Sequence, residues 1–221
     1  MANTGTREKI IEAAYVRFYE FGYNGTSVQD IVDLVGVPKG TFYNYFKSKE
    51  RLGLEALNHY ACVADKVFTP PDVSDTSARG KKGKPSQIAR LRSQFGEAMR
   101  FQQRQKISLG CLMGNFTAES AALPASFRKY IDKSFKRWIA AVAASLKVAQ
   151  ENGEISSSHD PDSLARYLMA AWHGSLLLMK SSNNKASIDD FMRLTFETLL
   201  KSESPMTKKN VTQPRKSKQY P

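Results

Sequence analysis

The sequence predicts an all-α protein in two parts, an N-terminal three-helix helix-turn-helix head and a larger C-terminal helical domain. Three observations predict it. Apolar residues recur at steps of three and four in one segment after another, which is the period of helices with a single buried face. Glycine, proline and hydroxyl residues punctuate those segments where helix caps are needed. No alternation of strands with helices and no internal repeat interrupts the pattern.

The first predicted helix spans Thr6 to Phe21, with Ile10, Ile11, Ala14, Phe18 and Phe21 on its apolar side. Gly22 ends it, since glycine tolerates a left-handed C-cap. Thr26 and Ser27 can cap a second helix whose buried side is Val28, Ile31, Val32 and Val35. Gly36 breaks the chain, and Pro38 suits the first turn of a third helix carrying Phe42, Tyr43 and Phe46. A fourth begins near Ser48 and continues through Leu54, Leu57, Ala61 and Ala64. Residues 69–86 are rich in Pro, Ser, Gly and Lys and read as a mobile loop. Further helices are predicted over Ile88–Arg104, about Leu109–Ala122, Pro124 to Gly153, Pro161–Ser181 and Ile188–Lys201. The division expected is a head over residues 1–50, a helical domain over 51–202 and a disordered basic tail over 203–221.

The 221 residues suffice for a sizeable core, and the formal net charge is +12. That excess favours a polyanionic partner, but its distribution matters more. Residues 1–60 balance seven Lys/Arg with seven Asp/Glu, while the tail and the run RGKKGK at 79–84 hold much of the surplus. No apolar run approaches a membrane span, and the start lacks the apolar core of a signal peptide, so a cytoplasmic protein without membrane contact is expected. The two cysteines, Cys62 and Cys111, fit that compartment. No phosphate-binding glycine loop, zinc spacing or nucleophile elbow occurs. No catalytic residue, metal site or cofactor is therefore expected. An enzyme with Cys111 as nucleophile and His173 as base is the disfavoured alternative.

Two short helices joined by a glycine turn make a helix-turn-helix, whose second helix enters the major groove N-terminus first. Phe42 and Phe46 are four apart and can both face inward. Lys39, Gly40, Thr41, Tyr43 and Asn44 are then left to face DNA. Gly40 permits close backbone approach. Lys39, Thr41 and Asn44 can reach base edges or phosphate, and Tyr43 suits a phosphate. Lys49, Thr26 and Ser27, beside helix N-termini, can add phosphate contacts.

The runs GYNGTSVQDIV (22–32) and GVPKGTFYNYFKSKERL (36–52) resemble the DNA-binding domain of TetR-family transcriptional regulators. The likeness covers about residues 7–55. It departs at Val35, where the family usually has Ala, and at Asn44, where it often has His. The resemblance implies a homodimeric repressor of double-stranded operator DNA, dimerised through about residues 161–200 and released by a small-molecule effector. The segments GCLMGNFTAESAALP (110–124) and WHGSLLLMK (172–180) are similar to a branch of that family with regulators responding to electrophiles, quinones or acrylate-like compounds.

Ligand sites are mostly apolar with a few fixed polar groups. The expected lining is Phe101, Met113, Phe116, Trp138, Trp172 and His173, with Asn115, Glu119 and His173 supplying polar contacts. Cys111, near a helix start, is a candidate reactive thiol, whereas Cys62 is expected to pack as a small hydrophobe. Two alternatives stand beside ligand release: a thiol-based sensor acting through Cys111, and a ligand-independent architectural DNA-binding protein acting through its basic segments.

Overall fold

The computed structural model describes residues 4–68, 86–104, 110–119 and 123–201. The basic run 79–84, Lys106 and the basic tail lie outside the described residues. Every regular element among those described is helical: α1 Thr4–Phe21, α2 Val28–Val35, α3 Lys39–Tyr45, α4 Lys49–Phe68 and α5 Gln87–Arg104. Then come α6 Leu112–Ala118, α7 Ala125–Glu151, α8 Pro161–Ser182 and α9 Ala186–Leu194, closed by a π-helical turn at Thr195–Leu199.

The head forms because its local signals agree. Ser27 accepts the Asp30 amide hydrogen while the Asp30 carboxylate accepts that of Ser27, a reciprocal capping box at the start of α2. Those bonds hold the Asp30 carboxyl below its usual range. Gly36 sits at φ 73 and turns the chain between α2 and α3, a conformation that strains residues bearing a Cβ. Phe42 and Phe46 are buried, as their spacing predicts, with ring centroids 5.5 Å apart.

α4 starts in the head and continues into the C-terminal helices, where it packs on α5 and α7. The joint between the two parts is aromatic. Phe116 of α6 lies 5.8 Å from Phe18, 5.7 Å from Tyr23 and 5.4 Å from Phe127, centroid to centroid. α8 packs on α7 and α9, and Asp160 caps its N-terminus through the Ser163 amide. Beyond shifts of one or two residues at helix starts, three boundaries differ from the sequence reading. α6 is confined to seven residues, α3 stops at Tyr45 because Phe46 turns extended, and the last α-helix gives way to the π turn.

Candidate DNA face and effector cavity

The polar side of α3 is exposed. Lys39, Gly40, Tyr43 and Asn44 are open to solvent and Thr41 is half-buried. Ser27 is exposed at the start of α2. Lys47 and Ser48 lie exposed between α3 and α4, with Ser48 Oγ accepting the Arg51 amide. The sequence reading used Ser48 only as a helix start and left Lys47 out of the face.

Two expected phosphate contacts change. Thr26 is buried, and its hydroxyl donates to the carbonyls of Gly22 at 2.8 Å and Arg17 at 3.2 Å. It fastens the end of α1 to the start of α2 and is not available to DNA. Lys49 holds its ammonium 4.1 Å from the Tyr23 ring centroid. Desolvation lowers its pKa, against the nearby carboxylates of Glu119 and Asp30. It is partly sequestered in the head–body joint.

A cavity of about 820 Å³ opens between the end of α1 and helices α6, α7 and α8. Its apolar lining includes Phe21, Phe135, Ile139, Met169 and Leu177. Of the expected residues, Cys111, Asn115, Glu119 and His173 line it. Tyr19, Arg166 and Lys180 join them, and the Lys180 ammonium donates to Asn115 Oδ1 at 2.8 Å. Sequence reasoning missed these three because Tyr19 sits within an ordinary amphipathic pattern and the cations look like solvated surface.

The other five expected lining residues are core. Met113 and Phe116 are fully buried, and Phe116 serves the head–body joint. Trp138 is buried with its indole N–H donating to Asp65 at 2.6 Å, so its polar tip is already satisfied. Trp172 packs between Phe95 and Phe191, at 5.3 and 5.4 Å. Phe101 packs against Tyr60 at 5.8 Å.

Cys62, expected to pack, departs from the sequence reading. Cys62 is exposed and Cys111 is buried, at 6% exposure, although it lines the cavity. Tyr60 donates its hydroxyl to Cys111 Sγ at 3.2 Å, and Gln102 donates to the Tyr60 oxygen at 3.2 Å. His173 bonds the Met169 carbonyl through Nδ1 at 2.8 Å, which makes Nδ1 the donor and leaves Nε2 for the sulfur. Burial alone would push the Cys111 thiol up. The hydrogen bond and charge of His173, with the Tyr60 hydroxyl and the Gly114 amide, outweigh it, and the net direction is down. Burial would likewise lower His173, but its bond to Cys111 raises it. Both shifts favour a thiolate beside an imidazolium. Around them, burial first raises Tyr19 and Tyr60 well above the ordinary phenol, helped by Tyr15 and then Cys111 at Tyr19 and by Cys111 at Tyr60, while Tyr15 is pushed up to about 12.

The α8–α9 surface carries Tyr167, Leu177, Leu178, Leu194 and Leu199, each at least 40% exposed. The span expected to pair protomers, about residues 161–200, also holds apolar residues that are not on this surface. Leu164, Leu168, Leu176, Met179 and Phe191 are buried within the subunit.

Among the described residues no helix is long and apolar enough to cross a membrane, and no group of His, Cys, Asp and Glu is arranged to hold a metal ion. Residues 10–56 match the family model for bacterial regulatory proteins of the tetR family, and residues 87–195 match that of the tetracyclin repressor-like C-terminal domain. The HTH-type transcriptional repressor DhaR of Mycobacterium sp. is 33% identical over 91% of this chain and 96% of its own. The transcriptional regulator AcuR of Cereibacter sphaeroides is 31% identical over 84% and 81%, and the repressor NemR of Escherichia coli is 28% identical over 81% and 86%. Among solved structures, a regulatory protein TetR from Rhodobacter sphaeroides superposes with a TM-score of 0.73 at 32% identity, covering 86% of this chain and 95% of that one. The reduced form of E. coli NemR gives 0.69 at 25% identity, covering 85% and 93%. With an exposed recognition helix in front and a matching helical domain behind it, this chain belongs to the TetR family of bacterial transcriptional regulators.

Proposed function

We propose that the protein is a repressor that binds a palindromic operator as a homodimer and releases it when a small effector fills the α1–α6–α7–α8 cavity. Residues 1–50 form its DNA-binding unit and residues 51–202 its sensing and pairing unit. The cavity carries the reading: it is mostly apolar, of ligand size, and holds a few placed polar groups. The names of two relatives, both repressors, support the sign of regulation. Tyr167 and Leu178 of α8 and Leu194 of α9, exposed and outside the cavity lining, support pairing. Two heads are needed to read two half-sites one helical turn or a multiple apart. The effector must bind the DNA-incompetent state more tightly, because equal affinity shifts nothing.

The test is selection of bound duplexes from a random library, followed by a screen for compounds that reverse binding. An inverted repeat holding two protomers is expected. A pool without sequence preference, with affinity falling steeply in salt, would instead support the architectural reading through the basic segments.

A second reading is favoured by one observation, the Cys111–His173–Tyr60 constellation at the cavity wall. It makes Cys111 a thiol sensor whose modification takes the place of a bound ligand. Cys111→Ser separates the two: release by electrophiles disappears in the variant if the thiol is the sensor, and persists if occupancy suffices.

A further inference from the structure

Glu119 is the C-cap of α6 and lines the cavity. Both its carboxylate oxygens are taken by the head. Oε1 accepts the Tyr23 amide at 2.9 Å and Oε2 accepts the Asn24 amide at 2.8 Å. These are the residues just after α1, and the turn is shaped around the carboxylate. Gly22 lies at φ 74, and a Cβ there would meet Glu119 Oε1 at 2.4 Å. The next bonds lead to DNA-facing structure. Thr26 binds the Gly22 carbonyl, and Ser27 caps α2. The Tyr23 ring lies under the Lys49 ammonium and against Phe127 at 4.8 Å. At its other end α6 begins with Cys111 as N-cap. Its seven residues form a rod roughly 10 Å long between the thiol and the carboxylate.

The geometry points to Glu119 as a positioning residue that carries the state of the cavity into the head. A group lodged against Cys111 or Asn115 moves the rod, withdraws the carboxylate from Tyr23 and Asn24, and loosens the turn that seats α2 and Lys49. This route enters the head at the α1–α2 turn. It is separate from a path along α4. The inference rests on the cavity being the effector site, so the test reads loading and transmission independently.

The probe is N-ethylmaleimide in a Cys62→Ser background, which confines reaction to Cys111. The thiolate sulfur bonds to one alkene carbon and the other takes a proton, with no leaving group and no change of redox partner. Intact mass measures the adduct, hydrogen exchange measures the Tyr23 and Asn24 amides, and anisotropy measures affinity for a selected operator. In the parent, the two amides are expected to exchange at least tenfold more slowly than in Glu119→Ala. The adduct is expected to remove that protection and weaken operator binding at least tenfold. Glu119→Ala, equally alkylated, is expected to lose at least threefold less operator affinity on alkylation than the parent loses. Glu119→Gln, which keeps one acceptor, should fall between them, which a purely structural role would not produce.

Full release of alkylated Glu119→Ala would overturn the latch and leave the cavity reading standing. Unchanged exchange at Tyr23 and Asn24 in the alkylated parent would overturn it whatever the operator result. An alkylated parent that keeps its operator affinity, or a Cys111 that never takes the adduct, would remove the premise and the latch with it.

Discussion

Gly53 offers the sharpest test of the head–body joint. It lies in α4, and a Cβ built on it would meet Phe127 Cζ at 2.8 Å and Cε1 at 2.9 Å, with Tyr23 Cε2 at 3.1 Å. Phe127 is fully buried and wedged against Tyr23 and Phe116, so the ring has nowhere to swing. Overpacking of this kind costs ~1–3 kcal/mol. Replacing glycine by alanine inside a helix returns ~1 kcal/mol. The net for Gly53→Ala is then a destabilisation of ~0–2 kcal/mol. For a chain of this length that lowers Tm by up to ~4–8 °C. Gly96→Ala in α5 is the control, because its nearest neighbour is Arg100 Nη1 at 3.6 Å. Its helix gain should appear undiminished, as a rise of ~2–4 °C. Opposite signs are therefore expected in the same thermal melt. Gly53→Ala should also push α4 away from α7 and weaken operator binding without any effector. A Gly53→Ala protein as stable as Gly96→Ala, with unchanged operator affinity, would refute the claim that this contact sets the head angle.

Three further outcomes follow from the site. Gly40 has no atom within 4 Å of a built Cβ, so Gly40→Ala should raise Tm while weakening operator binding by about tenfold if backbone approach to DNA excludes a methyl; anisotropy beside a melt reads both. His173→Gln removes the group that lowers the Cys111 thiol, so the pH midpoint of alkylation should move up. Each unit lost cuts the thiolate tenfold but leaves a better nucleophile, giving a net slowing at pH 7 of roughly threefold to fivefold per unit. Glu154 accepts from Ser86 Oγ and from the Gln87 and Ile88 amides, capping α5. Burial would raise its carboxyl, but those bonds win and lower it below the ordinary 4.5. A depressed carboxylate stabilises above its unfolded value and loses that contribution as pH falls through the folded one. Glu154→Gln should thus cost ~1 kcal/mol at pH 7, as a lost cap does, and the gap to the parent should close as pH drops below about 4.5 in acid titrations followed by circular dichroism.

The head was legible because its information is local. The span of α2 was read to the residue, since Ser27, Asp30 and Gly36 mark its ends by chemistry that needs no partner element. Thr26 and Ser27 show where that legibility stops. Adjacent hydroxyls look alike in sequence, and only the return of the chain past Gly22 and Arg17 decides that one is buried. In the C-terminal domain, periodicity identified buried aromatics correctly but not what they face. Trp138 and Trp172 contact protein on every side that the ring contacts define, while the cavity is walled by Phe135 and Met169 together with Tyr19 and Lys180. A void is a property of several helices at once and leaves no mark on any single one. The same reason hid the exposure of Cys62, because the face of α4 that carries it is defined by α5 and α7 and not by its alanine neighbours.

The cavity and the thiol are better understood as one device than as rivals. Cys111 is both a wall of the cavity and the N-cap of the α6 rod. A ligand lodged beside it and a group bonded to it would press on the same element. The bonded group would do one thing more. Tyr60 of α4 donates to the sulfur and is itself held by Gln102 of α5, all three being buried. Alkylation turns the accepting sulfur into a bulky, weakly accepting thioether, and leaves a buried donor short of its partner at a cost of ~1–3 kcal/mol. That is the size of a working allosteric coupling, typically ~1–3 kcal/mol. It acts on α4, the helix that runs from this spot down to Lys49 in the head. Occupancy alone leaves the Tyr60 bond intact and must act through α6. Covalent chemistry engages α6 and α4 together, so for equal filling of the cavity an electrophile should release the operator more completely than its unreactive analogue.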